Sequence, residues 1–350
     1  MMKKSNTKHQ CSLSAKHYGC ILFMMGFVAL ILFNLAEYDK TMTKYNDEIM
    51  SISGTTTSLD GDISNSAEKA RRFERYNYVP PIVTSNLAVK KEHDEFVEKH
   101  CGAPDFATYF QLSWRDRSAN GEDKLIYELF FKDYNFEDKQ GTFIELGAYD
   151  GKQESNTRFF EYCLGWRGLL VEANPYKYPL LYSNRPHVHK MGYAPSCSLE
   201  EEKAGKTVRF HDYASTNAGL VGAATTYDGR HEVPVPCGSL TPVLLDLFSD
   251  TAQHIHFFSL DVEGSEPSVL ENIDFEKVYI EVLMIEVQNN LCRAKCESRD
   301  QTRAIMQKEG YIRHSGLVPK SDIFVHSRSS LAKYTTDELN DKRKNRMSRS

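Results

Sequence analysis

Between Gly141 and His326 the chain alternates two patterns. Near-continuous apolar runs begin at Thr142 (TFIELGAY), Gly168 (GLLVEAN), His254 (HIHFFSLDV) and Val282 (VLMIEVQ). Stretches with helical spacing lie between and after them, at Glu154 (ESNTRFFEYCLGW), Tyr176 (YKYPLLYSNR), Ser265 (SEPSVLENI) and Arg299 (RDQTRAIMQKEG). Strands apolar on both faces that alternate with helices predict a mostly parallel sheet with helices on both faces, a Rossmann-like α/β domain over 141–327. Ligands of such sheets bind beyond the carboxyl ends of the strands, near the point where strand order reverses. The polar residues of these runs fall at those ends.

Outside this block the pattern changes. Tyr18 to Ala36 (YGCILFMMGFVALILFNLA) holds no charge. It predicts a transmembrane helix, since about 20 apolar residues cross a hydrocarbon core of roughly 30 Å. Lys3, Lys4, Lys8 and Lys16 precede it without an acid, so the positive-inside bias puts residues 1–17 in the cytosol. The expectation is a single-pass type II membrane protein of the secretory pathway with a lumenal domain; a cleaved signal peptide fits less well, for want of small residues at a cleavage site. The polar residues 37–89 read as a stem, residues 90–140 as a helical cap (KKEHDEFVEKH, DKLIYELFFKDY), and residues 328–350 as a charged, frayed tail.

Eight cysteines include six beyond the apolar segment, Cys101, Cys163, Cys197, Cys237, Cys292 and Cys296, an even number that suits disulfides. Their pairing is open, and Cys292 and Cys296 have no second pair at zinc-ligand spacing. No N-x-[ST] sequon follows the apolar segment, so glycosylation offers no support for the lumenal placement. The formal net charge of −5 gives no reason to expect nucleic acid as a partner.

Candidate chemistry clusters at the strand ends. After the first run, Glu145, Gly147, Tyr149 and Gly151 make a tight turn whose glycines let a ligand approach the backbone. Glu172 ends the second run, roughly 20 residues on from the glycine loop and just before Asn174, placed to bind both ribose hydroxyls of a nucleoside. The GxxxG spacing and the acid on the first strand favour S-adenosylmethionine (SAM) over a dinucleotide, and the absence of GK[ST] argues against a nucleoside triphosphate. Asp261 and Glu263 alternate at the end of the third run and are the candidates to deprotonate an acceptor or orient it. Glu286 is a weaker candidate. Ser265 and Glu266 read as helix capping, and His254, His256 and His326 as structural histidines.

FIELGAYDG, GLLVEANP and above all SLDVEGSEPSVLENID resemble the FkbM-type methyltransferase family, with VPCGSLTPVLLDL and VLMIEVQ fitting the same pattern. The resemblance covers a little over half of the chain. It implies SAM as cofactor, bound by Glu145, Gly147, Tyr149, Gly151, Glu172, Asn174 and Asp261. It also implies O-methyl transfer to a hydroxyl-bearing small molecule or glycan, with Asp261 and Glu263 at the reacting end. The sequence departs from the common pattern at Ala148-Tyr149-Asp150, where many members carry a small Asn-containing loop. An apolar anchor ahead of such a domain also resembles Star-type membrane proteins, which implies the alternative of a non-catalytic protein that escorts or binds a secretory protein.

Overall fold

The four apolar runs become the centre of one sheet. The computed structural model describes residues 60–81, 87–103, 105–136, 140–211, 216–223, 231–251, 253–287 and 296–347. It divides into two units, Met1–Ala70 and Arg71–Ser350. The described part of the first is the start of the helix Asp60–Arg75, and everything below concerns the second.

Strands β1 (Thr142–Leu146), β2 (Arg167–Val171), β3 (His189–Met191), β6 (His254–Leu260), β7 (Tyr279–Glu286), β8 (Tyr311–Ser315) and β9 (Ser321–His326) form a seven-stranded sheet ordered β3-β2-β1-β6-β7-β9-β8. The pairs from β3 through β7 are parallel, and β9 runs antiparallel to both neighbours. The domain is thus mixed α/β, with a largely parallel core sheet and flanking helices. Ile144, Leu169, Phe257, Ile280 and Leu283 are wholly buried, as strands covered on both faces require. Chain order reverses between β1 and β6, so the crevice of this sheet lies at their carboxyl ends.

Between β3 and β6 the chain inserts a two-stranded antiparallel sheet, β4 (Thr207–His211) with β5 (Glu232–Pro236). Its base is pinned by the Cys197–Cys237 disulfide, both cysteines fully buried. A second bridge, Cys101–Cys163, ties the end of the helix Leu87–His100 to the end of the helix Arg158–Tyr162. Cys296 is disulfide-bonded as well, whereas Cys292 lies outside the described residues. Removing the first bridge with Cys197→Ala and Cys237→Ala together is expected to lower the unfolding free energy by ~2–4 kcal/mol, because the bridge constrains the intervening loop in the unfolded chain. Urea denaturation of both forms measures it.

Three stretches outside the sheet pack more closely than their composition suggests. Within the region read as stem, Tyr76 stacks on Tyr193 at 3.9 Å, and Val79 bridges Lys190. The cap segment DKLIYELFFKDY is α-helical over Glu122–Ile126 and continues as a π-helix over Tyr127–Phe131, which buries Leu129, Phe130 and Phe131 in succession. The C-terminal stretch forms the helix Thr336–Met347, docked by the buried Leu339 and by Lys342 Nζ donating to the Leu129 carbonyl at 2.7 Å.

The membrane expectation is corrected. No helix among the described residues is long and apolar enough to cross a membrane. The longest, Asp60–Arg75, is mostly polar. At about 1.5 Å per residue it spans roughly 24 Å, short of a hydrocarbon core. The anchor expected at 18–36 itself lies outside the described residues. The Star-like membrane reading, the type II secretory placement, the membrane as partner and the lumenal setting of the activity all depended on a membrane-spanning helix, which the described residues do not supply.

Candidate active site

The carboxyl ends of β1, β2, β6 and β7 open into one cavity of about 300 Å³, at the low end for small-molecule sites. Glu145, Gly147 and Tyr149 line it from β1 and its turn, Glu172 and Asn174 from β2, Asp261 and Glu263 from β6, and Glu286 from β7. Glu154, Asn156, Ser196, Asn217 and Lys320 also line it.

Gly147 is required by space. Its φ is +81°, and a Cβ there would stand 1.8 Å from the Asp261 carbonyl oxygen. The turns after β1 and β6 therefore meet backbone to backbone, which only glycine permits. Tyr149 also adopts a positive φ, +51°. Its N–H donates to Glu172 Oε2 at 2.6 Å, and Asn174 N–H donates to Glu172 Oε1 at 2.7 Å. Both carboxylate oxygens are therefore held by the two turns that flank the cavity. Burial raises the Glu172 pKa to about 7, against the lowering pull of the Asn174, Tyr149 and Ala173 amides. Lys177 Nζ lies 4.0 Å over the Tyr149 ring.

Two sequence-selected residues have their side-chain space committed to the protein. Glu145 accepts from Ser155 Oγ at 2.8 Å, Asn156 N–H at 2.7 Å and Thr157 Oγ1 at 2.6 Å, with Arg185 Nη1 3.5 Å away. It anchors the segment that carries Asn156 to the cavity wall. Gly151 is absent from the lining. A Cβ there would meet Arg185 Cγ at 2.7 Å, and its carbonyl accepts from Arg185 Nη1 at 3.1 Å. The second glycine of the turn makes room for the fully buried Arg185, which also pairs with Glu161.

On the other side, oxygens of Asp261, Glu263 and Glu286 lie within 4.8 Å of one another. Asp261 is accessible from the cavity, and Glu286 is 9% exposed. Burial raises Glu286 well above the usual carboxylate range, reinforced by the charges of Asp261, Glu263 and Glu266 and a hydrogen bond with Asp261. Loss of water around its carboxylate raises Asp261 as well, against the hydrogen bond with Glu286 and the charge of Lys320. Both shifts run toward the protonated form, and the two carboxyls titrate as a pair. Glu263 has φ +56° and accepts from Asn217 Nδ2 at 3.0 Å, which links it to the inserted hairpin region. Ser265 occupies the N-cap of the helix Glu266–Leu270 without a side-chain bond. Glu266 Oε1 instead accepts from the Val262 and Gly264 amides.

Sequence reasoning missed Glu154, Asn156, Asn217 and Lys320. The last two come from segments with no apolar period, and only the fold brings them to the strand ends. His254 and His256 stand at the other end of β6, away from the cavity.

Residues 145–313, a little under half of the chain, match the family model described as the methyltransferase FkbM domain. This stretch is thus similar to FkbM-type methyltransferase domains. No curated protein matches the chain. Among solved structures, it is similar to a fibrillarin pre-rRNA processing protein of Methanococcus jannaschii, at 9% identity over 59% of this chain and 75% of that one, with a TM-score of 0.31. A precorrin-6y C5,15-methyltransferase of Geobacter metallireducens shows 11% identity over 58% and 85%, with a TM-score of 0.26. An O-methyltransferase family protein of Burkholderia thailandensis shows 7% over 71% and 61%, with a TM-score of 0.28.

Proposed function

We propose that the domain is an active SAM-dependent methyltransferase whose cofactor lies across the β1–β6 switch point and whose acceptor meets it beside Asp261. The observation that carries this reading is Glu172. It is a buried acid ending the strand next to β1, with each oxygen accepting one backbone amide, on the wall of the cavity. Numbering only the main-sheet strands, the order is 3-2-1-4-5-7-6. This order supports a Rossmann-like reading of the sheet with a terminal antiparallel hairpin, and in that reading Glu172 stands at the strand end where such folds hold a ribose.

The residues present fit the cofactor. Glu172 has acceptor capacity left for two ribose hydroxyls, since a carboxylate offers about four lone-pair sites. The Gly147 turn brings backbone close to the cavity, and acids outnumber Lys320 on its wall, which suits a cationic group. SAM, when bound, supplies a methyl group already activated on a sulfonium. The chain then has to align an acceptor and take up its proton. The Asp261–Glu286 pair is the base in this reading, and Glu263, fixed by Asn217, orients the acceptor.

The pH dependence of binding follows from Glu172. Its raised value means the folded chain favours the protonated acid. That contribution to stability is complete below the ordinary glutamate value and lost as pH rises through about 7. Ribose hydroxyls donate to the ionised form, so SAM binding strengthens over the same window. SAM is expected to bind roughly tenfold more weakly near pH 6 than near pH 8, because a proton must first leave Glu172. Calorimetry across pH tests this, and the step should vanish in Glu172→Ala. A flat profile in the wild type would count against Glu172 as the ribose ligand.

A further inference from the structure

The amino ends of β6 and β7 carry a second cluster, remote from the cavity. His254 and Asp261, the residue just after β6, are ~23 Å apart at the usual strand rise. His254 and His256 are two residues apart on one strand and therefore share a face. The parallel register pairs Ile255 with Ile280 and Phe257 with Val282, which sets Glu281 beside His256 on that face. One ligating atom from each of His254, His256 and Glu281 lies within 4.8 Å of the other two. The two imidazoles stack at 4.1 Å, and His254 Nε2 is 3.1 Å from Glu281 Oε2.

We propose that His254, His256 and Glu281 form a binding site for a borderline divalent transition metal of the zinc class. Two imidazoles and one carboxylate are a donor set for such ions, with a coordination position left open. Partners already orient the ligands. Glu281 Oε1 accepts from Ser329 Oγ at 2.6 Å, and Oε2 from Tyr134 Oη at 2.7 Å. Burial acts to raise the Glu281 pKa, but the bonds from His254, Ser329 and Tyr134 outweigh it and keep the carboxylate ionised.

His256 Nδ1 lies 2.8 Å from Thr142 Oγ1, whose own proton goes to the His254 carbonyl. Oγ1 then accepts from Nδ1–H, which puts the ring lone pair on Nε2. The Thr142 amide, 3.2 Å from the same Nδ1, supports the opposite tautomer, and a cation on Nε2 selects between them. The His254 side chain is 28% exposed and gives an ion a route in, while Glu281 is 3% exposed. Binding replaces the His254–Glu281 hydrogen bond and cross-links β6 to β7.

The test is zinc titration of the chelator-treated full chain, by calorimetry and thermal unfolding. One equivalent should bind at micromolar zinc and raise Tm. His254→Gln should weaken binding by roughly 10- to 100-fold or more and remove the Tm increase, as loss of a ligand or its support does elsewhere. His254 sits at the partly exposed edge, so this variant keeps the test valid if Glu281→Gln fails to fold. Asp300→Asn, at an exposed helix position outside both clusters, should bind zinc as the wild type does. The proposal is overturned if the wild type takes up no zinc at these concentrations, if His254→Gln binds it unchanged, or if Asp300→Asn abolishes binding.

Discussion

Replacing Glu172 by alanine is expected to weaken SAM binding by ~2–4 kcal/mol, roughly 30- to 1,000-fold. Two charge-assisted bonds to the ribose disappear, and their contributions overlap rather than add. The structure adds a second consequence. Glu172 also accepts the Tyr149 and Asn174 amides, so truncation leaves two donors beside the cavity without their partner. Each such loss costs ~1–3 kcal/mol where water cannot replace the acceptor. Unfolding free energy should therefore fall as well, and binding must be measured at a temperature where the variant is folded. Calorimetry and denaturation on the same preparation separate the two effects. A folded Glu172→Ala chain that binds SAM as the wild type does would remove the nucleoside assignment.

Asp261→Asn is expected to behave in the opposite way. The amide preserves size and can still bond Glu286, so SAM affinity should stay near the wild type. Its capacity to accept a proton is gone, and turnover should fall by about 10²–10⁴-fold, the usual contribution of a positioned base. S-adenosylhomocysteine release from SAM in the presence of a metabolite extract provides the readout. Equal losses in affinity and turnover would make Asp261 a binding residue and leave the base unassigned.

The parts of this protein legible in its sequence are those where one physical demand dominates. Strands β1, β2, β6 and β7 are buried on both faces, and that alone makes their runs apolar. Glu172, Asp261 and Glu263 stand out because an acid ending such a run is conspicuous. Strands β4 (TVRFH) and β5 (EVPVP) are partly exposed and β5 is interrupted by proline, so no single period marks them. The C-terminal helix docks through Leu339 and a hydrogen bond from Lys342, too few apolar positions to stand out from a charged tail.

Motif reasoning does not separate two demands that meet at Glu145 and Gly151. Both belong to the turn that draws attention to the site. Yet Glu145 spends its carboxylate on Ser155, Asn156 and Thr157, and Gly151 makes space for Arg185. A motif marks residues the local fold needs as readily as residues a ligand needs. The histidines illustrate the converse. Spaced two apart in a strand, His254 and His256 look like ordinary core positions. Only the register that brings up Glu281 turns them into a donor set.

The most direct test of SAM binding at Glu172 is a crystal structure of the chain with S-adenosylhomocysteine. Both ribose hydroxyls should lie within hydrogen-bonding distance of the Glu172 carboxylate, with the nucleoside across the Gly147 turn and the sulfur facing Asp261. A ligand bound elsewhere, or a cavity still empty at saturating S-adenosylhomocysteine, would contradict it.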